Sequence, residues 1–354
     1  MDKRIIPHSK ITIGKEEIKA VVDGLKHHHL ANGPIVEKFE KDFSIFLDKD
    51  YSIGVNSGSS ALHLALIALN IKPGDEIILP SYVCTSVLNA ILYVAAIPLL
   101  VDINWDDFNI NVNSVKEKIT SKTKAIIVPH MFGQSADMTE LLQFNIPIIE
   151  DCALSVGTTY KKQPVGTFGD LSIFSFYATK VITSIEGGMI VTDNYDYYKK
   201  ISDIKDTDKK ETYKVRYNYK MTDIGAAIGR EQLKKLNEFI IKRQDIAEVY
   251  NKELSNLEIE LPIIGKNKIH IYFRYVIKVE NGINEIIEKL KNKGIDARKP
   301  VFKPLHQYLG LKDSDYPITT KVFNSAISIP IYPGLKNSEI KFIITILKNI
   351  LRRK

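Results

Sequence analysis

One feature constrains the fold more than any other. From residue 52 to residue 192 the chain keeps repeating a short apolar run, a turn and an amphipathic stretch. The runs fall at 52–55, 76–79, 97–102, 125–129, 146–151, 170–176 and 189–192. They are largely apolar, without the alternation of a strand that has one wet face, so they predict strands covered on both sides. Strands separated by helical segments predict a largely parallel sheet with crossover helices, an α/β fold. Beyond residue 223 the rhythm changes. Residues 224–253 carry apolar side chains at helical spacing, 269–279 read as a strand, 283–293 as a helix and 338–351 as a final helix. The expected organisation is a large α/β domain over 1–240, with residues 1–14 as an N-terminal arm, and a smaller C-terminal α+β domain over 241–354.

Charge and composition exclude several classes. The longest apolar stretch, 86–101, is broken by Asn89 and Pro98. It falls short of the ~18 residues that a membrane span requires. The first residues lack the apolar core of a signal peptide, and only Cys84 and Cys152 are present, so a reducing, cytoplasmic setting is expected. The net charge of +7 comes from lysine, which supplies 41 of the 49 basic residues, scattered along the chain. A nucleic-acid reader would show a stripe of arginine interleaved with aromatics, so no nucleic-acid partner is expected. No arginine lies between Arg4 and Arg216. A phosphate held in that span must therefore rely on amides, hydroxyls or lysine.

Three motifs carry chemistry. Ser57-Gly58-Ser59-Ser60 follows a strand and opens a helix, where glycine permits a tight turn and free amides and hydroxyls make an anion site. The run 146–151 ends in Glu150-Asp151, at the strand end where ligands of parallel sheets collect. Phe174-Ser175-Phe176-Tyr177-Ala178-Thr179-Lys180 then places a lysine after an aromatic strand and before Gly187-Gly188; such an amine can lose its proton and form a Schiff base. In that order, an anion cradle, an aspartate and a lysine match the needs of pyridoxal 5'-phosphate (PLP). The cofactor requires a phosphate seat, a carboxylate to keep its ring nitrogen protonated, and an amine for its aldehyde.

With these motifs the chain resembles the DegT/StrS-type sugar-nucleotide aminotransferases, a fold-type-I PLP family built like aspartate aminotransferase. The resemblance spans about residues 10–335. It also rests on Gly33-Pro34 with Phe39-Glu40, Pro73-Gly74-Asp75-Glu76 with Pro80-Ser81, His130-Met131-Phe132-Gly133, Glu150-Asp151-Cys152-Ala153, Glu186-Gly187-Gly188 and Tyr217-Asn218-Tyr219-Lys220-Met221-Thr222-Asp223. It implies Lys180 as the Schiff-base lysine and proton shuttle, and Asp151 as the partner of the pyridine nitrogen. It implies Gly58, Ser59, Ser60 and Ser175 as phosphate ligands. Asn218 would reach the phosphate from a neighbouring subunit, which requires a homodimer with shared active sites.

Three positions depart from the pattern. Leu154 stands where the family usually has glutamine near the ring hydroxyl. Cys84 stands where an aromatic often stacks on the ring, with Tyr82 close by. Lys220 replaces an arginine. His29, Lys220 and His306 are the candidate substrate contacts. Consecutive residues point in different directions, so His27-His28-His29 is not expected to hold a metal, and His130 and Cys152 read as structural. The implied activity is ping-pong transfer of an amino group from an amino acid, L-glutamate by expectation, to a nucleotide-linked keto-sugar. The alternatives are a non-nucleotide ketone such as a cyclitol or small keto-phosphate, or a regulatory or binding protein on the same fold. A sugar dehydratase of this family would carry histidine at the lysine position, which Lys180 argues against.

Overall fold

The computed structural model describes residues 5–27, 30–208 and 210–351. The strands in chain order are β1 (Tyr51–Val55), β2 (Glu76–Pro80), β3 (Ile97–Val101), β4 (Thr123–Pro129), β5 (Ile148–Asp151), β6 (Thr159–Tyr160), β7 (Gln163–Pro164), β8 (Leu171–Ser175), β9 (Gly188–Thr192), β10 (Lys268–Ile269), β11 (Tyr275–Lys278) and β12 (Ala326–Ile329). Seven of them form the central sheet in the order β1-β9-β8-β5-β4-β2-β3. β9 runs against β1 and β8, and every other pairing is parallel.

Alternate side chains explain why the strands read as continuous apolar runs. Ile77, Leu79, Ile127, Ile149, Ile173 and Ile190 join one core with Leu62 and Leu66 of the helix Gly58–Ala68 and Val87 and Ile91 of the helix Thr85–Tyr93. Their neighbours Ile78, Ile126, Val128 and Ile148 join a second core on the opposite face with Val115 and Met138. Met189, Val191 and Phe174 pack with Phe39 and Phe43 of the helix Pro34–Leu47. Period-two alternation thus feeds two dry faces.

Two expectations require correction. The helical region 224–253 is two helices, Asp223–Lys234 and Leu236–Leu254. At Lys235 the backbone turns out of the first helix: its N–H goes to Gln232 O three residues back, while its ammonium reaches both oxygens of Glu17 at 2.8 Å. The stretch 269–279 is not one strand. Tyr272 has φ 50°, a left-handed geometry that breaks extension, so pairing resumes at Tyr275.

The helix Leu236–Leu254 serves two cores. Leu236, Phe239 and Ile240 pack with Val156 and Ile271, whereas Ile246, Ala247, Tyr250 and Leu254 pack with Ile277, Ile329 and Ile343. Ile6 joins that second core through a bridge to Ile295, so the N-terminal segment lies on the C-terminal part of the chain.

Candidate active site

The carboxyl edge of the sheet gathers the sequence-selected residues. Ser57 follows β1 and caps the helix Gly58–Ala68, its Oγ accepting from Ser60 N at 3.1 Å. The first-turn amides of Gly58 and Ser59 have no intrahelical acceptor, which leaves two donors and the positive end of the helix facing outward. A Cβ on Gly58 would lie 2.9 Å from Ser175 Cβ, so only glycine lets the helix start beside the end of β8. A cavity of about 300 Å³ opens there, lined by Ser57, Gly58, Ser59, Cys84, Asp151, Ser175 and Lys180. Ser60 is set back from this lining. It is buried, and its hydroxyl donates to Asn56 Oδ1 at 2.7 Å.

Asp151 ends β5 beneath this cavity. Its Oδ1 accepts from Ala153 N at 3.0 Å, and no protein donor among the described residues reaches Oδ2. Burial pushes its carboxyl above the usual aspartate range, against the opposing pull of Ala153 N–H, Lys180 and His130. The residue before it behaves oppositely. Glu150 accepts from His130 Nε2 at 2.9 Å, Gly166 N at 2.8 Å, and Phe168 N and Gly169 N at 2.7 Å each. Burial alone would raise its carboxyl, but His130 and the amides outweigh that and hold it below the usual range. His130 Nδ1 accepts from Ala136 N at 3.1 Å, so Nε2 is the ring nitrogen that donates to Glu150. His130, Glu150 and Cys152 offer metal-ligating atoms within 4.8 Å of one another. The nitrogens of the ring and both carboxylate oxygens are already engaged by protein groups, which makes the cluster a brace for β5.

Lys180 sits in the loop between β8 and β9. The loop is fastened by Phe176 N to Gly187 O, Ser184 N to Phe176 O and Lys180 N to Tyr177 O, all 2.9 Å. Burial lowers the pKa of its ammonium, with Cys84 and Asp151 opposing and Arg274 reinforcing the shift. Its Nζ lies 5.6 Å from the centroid of the Phe273 ring. A second cavity of about 410 Å³ adjoins the first; both are lined by Cys84, Asp151, Ala153 and Lys180. The second is walled further by Met131, Phe132, Leu154, Phe273, Arg274, Phe302, Lys303 and Tyr308. The amine thus stands at the junction of an anion-accepting chamber and a wider, more apolar one.

Other placements differ from expectation. His306 does not line either chamber. It is fully buried, its Nδ1 2.6 Å from Ser81 Oγ and its Nε2 2.9 Å from Asp313 Oδ1, and its ring stacks on Tyr316. Lys220 is held by Asp206 at 2.7 Å and by Asp208, outside both linings. Asn218 lies against Asn56, whose Nδ2 donates to its carbonyl at 3.3 Å, and also lies outside both linings. His29 falls outside the described residues. Tyr82 is buried against Phe108 and Phe132, which leaves Cys84 facing the chambers. A hollow of about 560 Å³ elsewhere contains none of these residues; its Lys278 already pairs with Glu260 at 2.9 Å.

Phe273 and Arg274 were invisible to sequence reasoning. They enter the chamber because the turn of His130-Met131-Phe132-Gly133 grips their segment: Gly133 O accepts from Ile271 N at 2.9 Å and Phe132 O from Arg274 N at 3.3 Å. Gly133 has φ +99°, and a Cβ there would lie 2.7 Å from Ile271 Cγ1 and 3.0 Å from Phe273 N. That glycine is the one sequence signal of a close approach.

The free carboxylate oxygen, the outward amides and the half-desolvated amine fit PLP. Fold and site together place the chain among the PLP-dependent aminotransferases. Comparison narrows the assignment: the chain belongs to the DegT/DnrJ/EryC1/StrS aminotransferase family, whose model matches residues 11–348. It is 36% identical to MJ1066 of Methanocaldococcus jannaschii, over 98% of this chain and 97% of that one. It is 35% identical to the GDP-perosamine synthase of Escherichia coli O157:H7, over 88% and 89%. The PLP form of the sugar aminotransferase Spr1654 from Streptococcus pneumoniae superposes with a TM-score of 0.92 at 29% identity, over 98% of this chain and all of that one. Among the described residues no helix is long and apolar enough to cross a membrane.

Proposed function

We propose that the chain moves the amino group of an amino acid, L-glutamate by preference, to a keto-sugar carried on a nucleoside diphosphate. The observation that carries this reading is the position of Lys180 between two joined chambers, one suited to a phosphate and the other roomy enough for a sugar. The likeness to a GDP-perosamine synthase supports the nucleotide-sugar acceptor. When bound, PLP supplies an electron sink for the pair released as the substrate C–H bond breaks.

The residues then divide the work. Gly58 and Ser59 amides, with Ser175, hold the phosphate; Ser60 supports them through Asn56 and Ser57. Asp151 Oδ2 keeps the ring nitrogen protonated, and Glu150, locked by four donors, fixes the strand that aims it. Lys180 carries the proton to and from the reacting carbon. Burial lowers its pKa, which favours the neutral form that a general base must take. Asn218 completes the phosphate seat of a neighbouring copy, so the working unit is a homodimer in the cytoplasm. The small C-terminal unit, from about residue 241, brings Phe273 and Arg274 over the chamber.

Leu154 and Cys84 in the lining support a second reading, a less polar acceptor such as a cyclitol. The deciding experiment is a panel of nucleotide-linked keto-sugars and cyclitol ketones assayed with L-glutamate. Borohydride reduction and peptide mapping of the PLP-loaded protein run in parallel. Amination of a nucleotide-linked sugar and label on Lys180 are expected. Turnover of the cyclitol ketones alone would shift the substrate class, and label elsewhere would remove Lys180 from its role.

A further inference from the structure

We propose that Arg274 is the anchor for the α-carboxylate of the amino donor, an inference that rests on the aminotransfer reading above. Arg274 lies in the wall of the wider chamber, on the segment that leads into β11. Its Cζ is 5.4 Å from the Phe273 centroid and Lys180 Nζ is 5.6 Å from the same centroid, so the two side chains share one ring. No carboxylate among the described residues pairs with it. Its polar side-chain contacts are the ring nitrogens of His8, at 3.2 and 3.3 Å. Asp296, which accepts from His8 N at 3.4 Å, is taken by Arg298 in a two-pronged pair at 2.7 and 2.8 Å.

His8 is a holder and not a counter-ion. Its Nε2 lies 2.8 Å from Ser328 Oγ on β12, and burial, with the charge of Arg274 beside it, lowers its pKa to about 3. It therefore stays neutral and fixes the guanidinium without cancelling its charge. Burial also brings Arg274 itself down to about 10, the mark of a cation whose lost water no anion has replaced.

The charge balance of the loaded site explains what this cation is for. With the ring nitrogen held against Asp151 and the Lys180 amine engaged by the cofactor, Arg274 and Lys303 would be the cations left in the chamber wall; Lys303 lies over Tyr308, 4.7 Å from its centroid, whereas Arg274 shares the Phe273 ring with Lys180. An amino acid carries its carboxylate one bond from the carbon that loses nitrogen. A nucleotide sugar carries its charge on a diphosphate, separated from a ring ketone by several bonds. An unpaired guanidinium close to the amine therefore matches the donor, and its planar fork matches a carboxylate in two-point contact.

The test separates the two legs of the reaction in Arg274→Gln and Arg274→Lys. PLP-loaded enzyme is mixed with L-glutamate and followed by absorbance to the pyridoxamine form. The pyridoxamine form is then mixed with the keto-sugar nucleotide. In the Gln variant the half-saturating glutamate concentration should rise roughly 30-fold or more, the scale of one lost charged hydrogen-bond pair. The limiting rate and the acceptor leg should change far less, and Lys should restore part of the loss. Isoglutamine, which carries an α-carboxamide, should be as poor a donor for wild type as glutamate is for the Gln variant. Calorimetric titration with glutarate, which has no amine to react, should show binding to wild type and none to the Gln variant. Unchanged glutamate saturation, equal losses in both legs, or wild type that uses isoglutamine as well as glutamate would overturn the assignment. The last comparison decides even if neither variant folds. Wild type that converts with no amino acid would refute the aminotransfer reading instead, and glutarate binding would still judge Arg274.

Discussion

Glu150 and Asp151 are consecutive residues of one strand, yet the first accepts hydrogen bonds from four donors and the second from one. Successive side chains leave a strand on opposite faces, so the pair is divided between framework and cavity. One carboxylate is spent on structure, and its neighbour is left with an oxygen for chemistry.

Asp151→Asn keeps the shape and removes the charge that, on the proposed reading, would hold the ring proton. Turnover should fall roughly 100-fold or more, the scale of removing one preorganised electrostatic partner. The cofactor-free variant should nonetheless melt higher than wild type near neutral pH. The native carboxyl titrates above its unfolded value of 3.8, so ionising it costs stability as pH rises through the native value. Below 3.8 it is protonated in both states and the difference should vanish. Melting curves at several pH values check both signs.

Glu150→Gln should do the reverse. The amide oxygen can still accept from His130 and Gly166, but its NH2 would then face the N–H groups of Phe168 and Gly169, and both buried donors would lose their acceptor. A destabilisation of about 3 kcal/mol is expected in urea unfolding. Glu150 titrates below its ordinary 4.5 in the native state, so it contributes stability above that value which is lost as pH falls through the native one. The Gln variant should lose that part of the acid sensitivity.

Gly133→Ala tests how the wider chamber is closed. The added methyl meets Ile271 and the backbone of Phe273, at a φ that alanine rarely adopts. A loss of at least about 1–2 kcal/mol is expected, with segment 271–274 displaced from the chamber wall. Urea unfolding measures the first, and glutarate titration the second. A variant as stable as wild type would mean that the approach is looser than the geometry shows.

The shared-site reading of Asn218 has a direct test. A Lys180→Ala chain is mixed with an Asn218→Ala chain, and the two are dissociated and reassociated. A symmetric pair carries two equivalent composite sites. One site of the mixed dimer collects both defects and the other is intact, so about half the activity per dimer should return. Mixed dimers that form and stay inactive would place Asn218 in its own subunit.

The residues alone determined the central sheet. Each of the seven apolar runs became a strand because burial on both faces leaves its mark within a few residues, as in the alternate use of Ile77, Ile78 and Leu79 by two cores. The position of Asp151 was legible for a related reason: a polar residue at the end of an apolar strand has few places to go other than the sheet edge. Tertiary structure decided the rest. His306 looked like a substrate contact, but Ser81, 225 residues earlier, and Asp313 take both of its ring nitrogens. Tyr272 broke a strand that the apolar pattern of 269–279 would have continued, and the break turns Phe273 and Arg274 into the chamber. Pattern records which residues avoid water. It does not record which distant segment supplies the dry surface, and the walls of this site come from such distant segments, joined at Gly133.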